Sequence, residues 1–254
     1  MNKLKAVIQY DGSSYHGWQF QPGVPTIQGE IERVLLQIFR RPIRVFGAGR
    51  TDAGVHAFGQ VAHFLVDWSH ELQKLQKALN SLLAPDICII QLDNVSDDFH
   101  ARHKAISKTY RYVVLNKSVG SPFHRLYSFH VPQELDLELM NSASSAFIGA
   151  HDFAAFGAPT DGTPSTVREI YSASWNIEPG SGLMIFSITG SGFLRYMVRT
   201  VVATLIRVGK NQISPERVKI ILDSRDRSLA IGKASPHGLY LDHVTYPEDS
   251  GTLS

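Results

Sequence analysis

The chain has 254 residues, 43% of them hydrophobic and 19% charged, with a formal net charge of +2 and a pI near 8.6. That length allows one large domain or two modest ones with a real core, and a mean hydropathy of −0.08 belongs to the soluble globular class. The single cysteine, Cys88, excludes an intramolecular disulfide and a Cys-rich zinc site, and so mild a basic excess does not by itself argue for nucleic acid.

Leu4 to Tyr10 alternates as a strand and Asp11 to Ser14 reads as a turn. Thr26 is placed to cap a helix that carries Ile27, Ile31, Val34, Leu35 and Ile38 on one stripe and ends at Pro42. Ile43 to Phe46 and Gln60 to Val66 read as strands on either side of a Gly-rich loop. Leu72, Leu75, Leu79 and Leu82 mark a second helix, and Ile87 to Val95 a further strand. This order is β-α-β-β-α-β, the split ferredoxin-like unit. Cys88 sits among isoleucines in that last strand, which predicts a buried, neutral thiol with no nucleophilic role.

The second half repeats the order. Strands are expected at Tyr110 to Leu115, Val167 to Ile177 and Leu183 to Thr189, the last two joined by a hairpin turn at Pro179 to Gly182. Helices are expected within Leu135 to Ile148, over Phe193 to Val208, and from Ser214-Pro-Glu216, with serine as cap and proline at the first helical position. Leu239 to Tyr246 closes the chain, and Glu248 to Ser254 reads as a loose tail. The fold class is therefore α+β in two halves, 1–104 and 105–254, meeting near Ala101 to Lys108. Met1 to Tyr10 has no signal-peptide core, and the apolar helix near Met197 to Val208 is interrupted by Arg199 and Arg207. A cytoplasmic protein is the expectation.

The run Gly47-Ala-Gly-Arg-Thr-Asp-Ala-Gly-Val-His-Ala57 carries the most information. Its glycines suit sharp bends or close approach, and its only acid, Asp52, lies two residues from Arg50. A turn capped by Asp52 would explain the composition without chemistry. A dinucleotide fingerprint fails because its third glycine position is Asp52 and a strand follows where a helix is needed. A reactive carboxylate beside a guanidinium remains, with Asp52 as candidate nucleophile and Arg50 and Arg199 as candidate partners for it or for phosphate.

Basic residues cluster at Arg40, Arg41 and Arg44, at Arg102 to Arg111, and at Arg195 to Lys210. Clusters that coincide in space could hold a phosphate backbone. Tyr110 and Tyr112 share one face of a strand, where a ring could stack on an extruded base or simply fill the core. The eleven histidines, His56 and His63 among them, have no metal-ligand spacing.

The chain resembles the tRNA pseudouridine synthase A (TruA) family. The resemblance rests on Tyr10-Asp-Gly12, Gly17-Trp-Gln19, Thr26-Ile-Gln-Gly29 and the loop Gly49 to Ala57 followed by Gly59-Gln60. It continues through Phe99-His-Ala-Arg102, Lys108-Thr-Tyr-Arg-Tyr112, His151-Asp-Phe153, Phe193-Leu-Arg-Tyr-Met-Val-Arg199 and His237-Gly-Leu-Tyr-Leu241. Ser191 and Ala203 depart from the family's usual residues. The resemblance implies two ferredoxin-like halves joined into one extended, mainly antiparallel sheet with a central catalytic cleft. It implies an isomerase that converts uridines 38, 39 and 40 of the tRNA anticodon arm to pseudouridine, as a homodimer, with no cofactor, metal or membrane. Asp52 would be the catalytic aspartate and Arg50 would hold the target base out of the stack. Tyr110 would pack on that base, Arg199 would pair with Asp52, and Leu239 would be an apolar wall. The rival readings are a non-catalytic RNA-binding module of paired ferredoxin-like domains and a metal-dependent hydrolase.

Overall fold

The structure is a computed structural model describing residues 1–159, 165–230 and 232–247; the tail Glu248 to Ser254 lies outside them. Two compact units divide it, Met1–Ile106 with Tyr240–Ser254, and Ser107–Leu239. It is a mixed α+β protein whose strands pair mostly antiparallel.

The first unit runs β1 (Asn2–Tyr10), α1 (Ile27–Phe39), β2 (Phe46–Gly47), β3 (His56–Val66), α2 (Leu72–Leu82) and β4 (Ile87–Asn94). β4, β1 and β3 pair antiparallel in that order, with β2 antiparallel on β3, which is the split ferredoxin-like arrangement expected of this half. Alternation sends Leu4, Ala6, Ile8 and Tyr10 of β1 inward, against the buried stripe Ile27, Ile31, Val34 and Leu35 of α1 and Leu75 and Leu79 of α2. Thr26 caps α1, its Oγ1 accepting from the Gly29 amide. Arg40, left-handed at φ 55°, ends the helix before Pro42 is reached. The register of β1 on β3 shifts between Ile8 and Tyr10, so Tyr10 pairs with Ala57 at the mouth of the Gly-rich loop.

Cys88 corrects an expectation. It is exposed, because β4 turns Ile87 and Ile89 inward and Cys88 and Ile90 outward. An apolar run on a strand with one covered face is only half buried.

The second unit contains β5 (Ser107–Leu115), β6 (Phe129–His130), α3 (Leu137–Ser144), β7 (Gly149–Asp152), β8 (Val167–Glu178), β9 (Leu183–Gly190), α4 (Met197–Gly209) and α5 (Pro215–Ser224). β5, β9, β8 and β7 pair antiparallel in that order, and β6 lies parallel to β5. Tyr112 and Val114 of β5, Phe186 and Ile188 of β9 and Trp175 of β8 are buried, with Trp175 and Phe186 5.0 Å apart between ring centroids.

α4 starts four residues later than its apolar pattern predicts. Arg195 exchanges two backbone hydrogen bonds with Ala158, of 3.0 and 3.2 Å, and Tyr196 then takes a left-handed φ of 67° before the first helical residue. The bridge with Ala158 diverts Phe193 to Tyr196 from the helix, and Arg199 consequently sits in its first turn. The closing strand, β10 (Leu239–Thr245), contributes Tyr240 and Leu241 to the first unit, parallel to His56 and Ala57 of β3. Among the described residues no helix is long and apolar enough to cross a membrane.

Candidate active site

The Gly-rich loop leads directly into β3, and its backbone is pinned at several points. The Ala48 amide donates to the Val61 carbonyl over 2.7 Å, and Gln60 Nε2 donates to the Gly49 carbonyl over 2.8 Å. The Trp18 amide donates to the Thr51 carbonyl, and the Gly54 amide to the Tyr15 carbonyl. A tight turn, with the Val55 amide on the Asp52 carbonyl at 3.2 Å, carries Asp52 at its start. Hydrogen bonds to its backbone hold this loop in place.

Two glycines outside the loop permit that contact. A Cβ on Gly12 would lie 2.0 Å from the Val55 carbonyl oxygen, and one on Gly17 would lie 2.5 Å from the Thr51 carbonyl oxygen. Gly17 also has φ +91°, a conformation that side chains rarely adopt. The motifs Tyr10-Asp-Gly12 and Gly17-Trp-Gln19 are therefore the seat on which the loop rests.

Of the loop side chains, Thr51, Val55 and His56 are buried, Asp52 is half-buried and Arg50 is exposed. Thr51 Oγ1 is 2.8 Å from Tyr10 Oη, and burial pushes the Tyr10 phenol up to about 12, so it stays neutral. His56 Nδ1 accepts from the Gly12 amide at 3.2 Å and lies 3.1 Å from Asp11 Oδ1, while its ring stacks on Tyr240. His56 thereby joins the loop, the turn after β1 and the closing strand.

Arg50 is reached by a relay that sequence inspection missed. Its Nε donates to Gln19 Oε1 at 3.1 Å, Gln19 Nε2 donates to Gln28 Oε1 at 2.9 Å, and Gln28 Nε2 donates to Glu32 Oε1 at 2.8 Å. Gln28 is buried in the first turn of α1 and also bonds the Phe20 amide and the Val45 carbonyl. A glutamine two residues after a capping threonine was the available signal, since a buried amide must be satisfied on all sides.

The remaining predicted site residues belong to the second unit. Tyr110 is buried on β5 opposite Ile188, its ring edge-on to Phe193 with centroids 5.0 Å apart. Tyr112, two residues on, donates to the Ser235 carbonyl at 2.7 Å, and burial raises its phenol. Arg199 is half-buried; its Nε donates to the Ala234 carbonyl at 2.8 Å, and its own carbonyl accepts from the Ala234 amide at 3.0 Å. Leu239 is buried at the start of β10. Sequence inspection also passed over Tyr196, whose ring centroid lies 4.7 Å from the Arg195 guanidinium, 5.7 Å from that of Arg199 and 4.1 Å from Lys233 Nζ.

His56 and His63 have structural partners. His63 is buried, its Nδ1 accepting from the Ala101 amide at 3.2 Å, and its ring meets His100 and Phe46. Burial, then the neighbouring His100 and Lys3, lower it to about 4. Among the described residues no group of three or more His, Cys, Asp or Glu side chains is placed to hold a metal ion.

The α+β frame and a seated Gly-rich loop that presents one carboxylate define the class to which known proteins can be compared. A family model described as tRNA pseudouridine synthase matches residues 6–104 and 143–247. The chain is 40% identical over 249 residues to a Streptococcus mutans protein named tRNA pseudouridine synthase A, covering 98% of this chain and 100% of that one. Identity to proteins of the same name is 42% over 248 residues in Listeria monocytogenes serovar 1/2a and 40% over 246 residues in Thermoanaerobacter sp. strain X514, covering 97% of this chain and 100% of each. This chain belongs to the tRNA pseudouridine synthase family. Among solved structures, one titled "Crystal Structure of a Cbf5-Nop10-Gar1 Complex" aligns over 93% of this chain and 57% of that chain at 11% identity, with a TM-score of 0.35, too low to add to the argument.

Proposed function

We propose that this protein isomerises uridine to pseudouridine in tRNA, at positions 38, 39 and 40 of the anticodon arm, with Asp52 as the nucleophile. The observation that carries the reading is the Gly-rich loop. Its backbone is fixed on both sides of Asp52, while the carboxylate stands half-buried on a turn. A carboxylate that must meet a sugar or base carbon needs such prior placement, because positioning supplies much of the rate.

The reaction balances without an oxidant or a second substrate. The bond from ribose C1′ to uracil N1 breaks, the base turns, and a bond from C1′ to C5 forms. The C5 proton leaves to solvent and N1 takes one up. Reaching C1′ requires extrusion of the nucleotide, which costs a few kcal/mol of stacking and pairing. In this reading Arg50, exposed and braced through Gln19 and Gln28, enters the RNA and holds the base out. Tyr110 supplies a ring face for the base, Arg199 the positive charge that positions the carboxylate, and Leu239 an apolar wall. The chemistry calls for no cofactor or metal, and the enzyme acts in the cytoplasm as a homodimer.

The test is tritium release from C5-labelled uridine in a tRNA transcript. Wild-type and EDTA-treated protein are expected to release tritium and Asp52→Asn is not, while the variant keeps its affinity for tRNA. Tight tRNA binding with no release by wild type would instead favour the RNA-binding module. Loss of release on chelation would favour a metal-dependent enzyme.

A further inference from the structure

The second unit holds a groove of about 420 Å³ whose lining includes Ser121, His124, Arg125, His130 and His237. That volume suits a nucleotide-sized group more than a single ion. Among the described residues no carboxylate lines it, and no aspartate or glutamate occurs in the chain between Asp98 and Glu134. Ser121, His124, Arg125 and His237 have N–H or O–H donors to offer, while the His130 N–H is held by the Lys117 carbonyl. Among the described residues His237 Nδ1 is buried without a hydrogen-bond partner, a cost that a ligand atom reaching it would relieve.

The wall is fixed before anything binds. The Ser128 hydroxyl and amide both donate to the His124 carbonyl, at 3.0 and 2.9 Å, and Arg125 Nη1 donates to the Pro122 carbonyl at 2.7 Å. A ring nitrogen of His130 lies 2.8 Å from the Lys117 carbonyl oxygen. Phe123, from the same turn, is 85% exposed, and Val119 and Tyr127 from this loop are exposed as well. A donor-rich groove without acids, next to exposed aromatic rings, has the composition of a surface that takes a phosphodiester and stacks the attached base.

We propose that this groove is a second RNA-binding site, taking a backbone phosphate of the substrate on Arg125, His124 and His237, with Phe123 stacking a neighbouring base. The assignment rests on the reading of the protein as a tRNA-modifying enzyme and extends it to residues outside the proposed catalytic set. The loop also lies between the two stretches matched by the family model, 6–104 and 143–247. Ser235 and His237 on the groove wall follow Ala234, the residue that brackets Arg199 with two hydrogen bonds. An occupied groove therefore steadies the segment that holds Arg199.

The test measures tRNA affinity against salt concentration for wild type, Arg125→Gln and Phe123→Ser, alongside tritium release by each. Arg125→Gln is expected to weaken binding about tenfold near 0.1 M salt and to lower the salt slope by about one phosphate contact. A merely structural role would not move that slope. Phe123→Ser, which changes an exposed side chain and leaves the fold intact, is expected to weaken binding about fivefold with the slope unchanged. In both, KM should rise more than kcat falls, and millimolar inorganic phosphate should compete with tRNA less in Arg125→Gln than in wild type. Unchanged affinity and slope in both variants, with wild type turning over, would overturn the groove alone. If wild type releases no tritium, the functional reading fails first. A change in the mass of the assembly in solution in Phe123→Ser, with tRNA binding unaltered, would assign the rim to a contact between copies and also overturn the RNA assignment.

Discussion

The Gly47 to Ala57 loop and the Lys117 to His130 loop are opposite solutions to presenting chemistry from an irregular segment. The first lies against its own unit through its backbone, buries Thr51, Val55 and His56, and offers one acid and one base. The second is held by its own turns and by the pairing of Phe129 and His130 with β5, carries no acid, and leaves Val119, Phe123 and Tyr127 in solvent. A reaction needs one group at one place, so every neighbouring atom is committed to holding it. Grip on a long polyanion tolerates looser placement, because each contact adds a modest share. Loss of a single atom should accordingly be drastic in the first loop and graded in the second.

The largest expected effect is at Asp52. Asp52→Asn keeps the shape and removes the nucleophilic carboxylate, so turnover should fall by about 10³-fold or more. tRNA affinity should stay within a factor of about three by filter binding. Equal losses of turnover and affinity would make Asp52 a structural cap, and the contrast between the loops would collapse.

Next is the seat of the loop. Gly12→Ala places a methyl 2.0 Å from the Val55 carbonyl oxygen, and neither partner is a movable side chain. The loop must lift or the turn after β1 must shift, at about 3 kcal/mol. Urea denaturation should show that loss, and turnover should fall even where the fold survives. A neutral Gly12→Ala would mean that the backbone seat does not fix the loop.

The seat also shows what a sequence can disclose. The loop and the cap Thr26 were legible because each is a local requirement of backbone geometry, whereas Gly12 and Gly17 stood out only within motifs of the family and Ser214 precedes α5 without a side-chain cap bond. Alternation located β1 for the same reason. β6 and β7 were not legible, since Phe129–His130 and Gly149–Asp152 are strands only by virtue of the partners they meet far along the chain. The exposure of Cys88 depends on which face of β4 is covered, and the late start of α4 depends on the bridge to Ala158. The groove draws on residues as far apart as Leu115 and His237, so no window of sequence displays it. The same holds for the site residues. Asp52 and Arg50 announce themselves in one run, whereas Gln19 and Gln28 gain meaning only from the fold.

A smaller effect is expected from acid. His63 is held neutral in the folded protein, with Nδ1 accepting from Ala101, and its pKa is lowered from 6.5 to about 4 by burial and by His100 and Lys3. The unfolded chain therefore binds a proton that the folded one refuses. Stability should be unaffected by this group above about pH 6.5 and should decline as pH falls towards 4. His100, also lowered, acts in the same direction. In His63→Gln the decline over that window should be shallower when followed by urea midpoints. An equally steep decline would move its cause to other groups.

The smallest effect is at Thr51, and it separates holding from chemistry inside the first loop. Thr51 Oγ1 meets the buried Tyr10 phenol at 2.8 Å, one residue before Asp52. Thr51→Val keeps the volume and removes the hydroxyl, at about 1 kcal/mol. Tyr10→Phe should cost a similar amount, and the double variant less than the sum, because neither is left facing an unpaired group. The Trp18 amide still holds the Thr51 carbonyl, so Asp52 keeps its place and turnover should fall only a few-fold. A hundredfold loss of turnover at unchanged stability would mean that the hydroxyl acts on the substrate, which would move Thr51 from the seat of the loop into its chemistry.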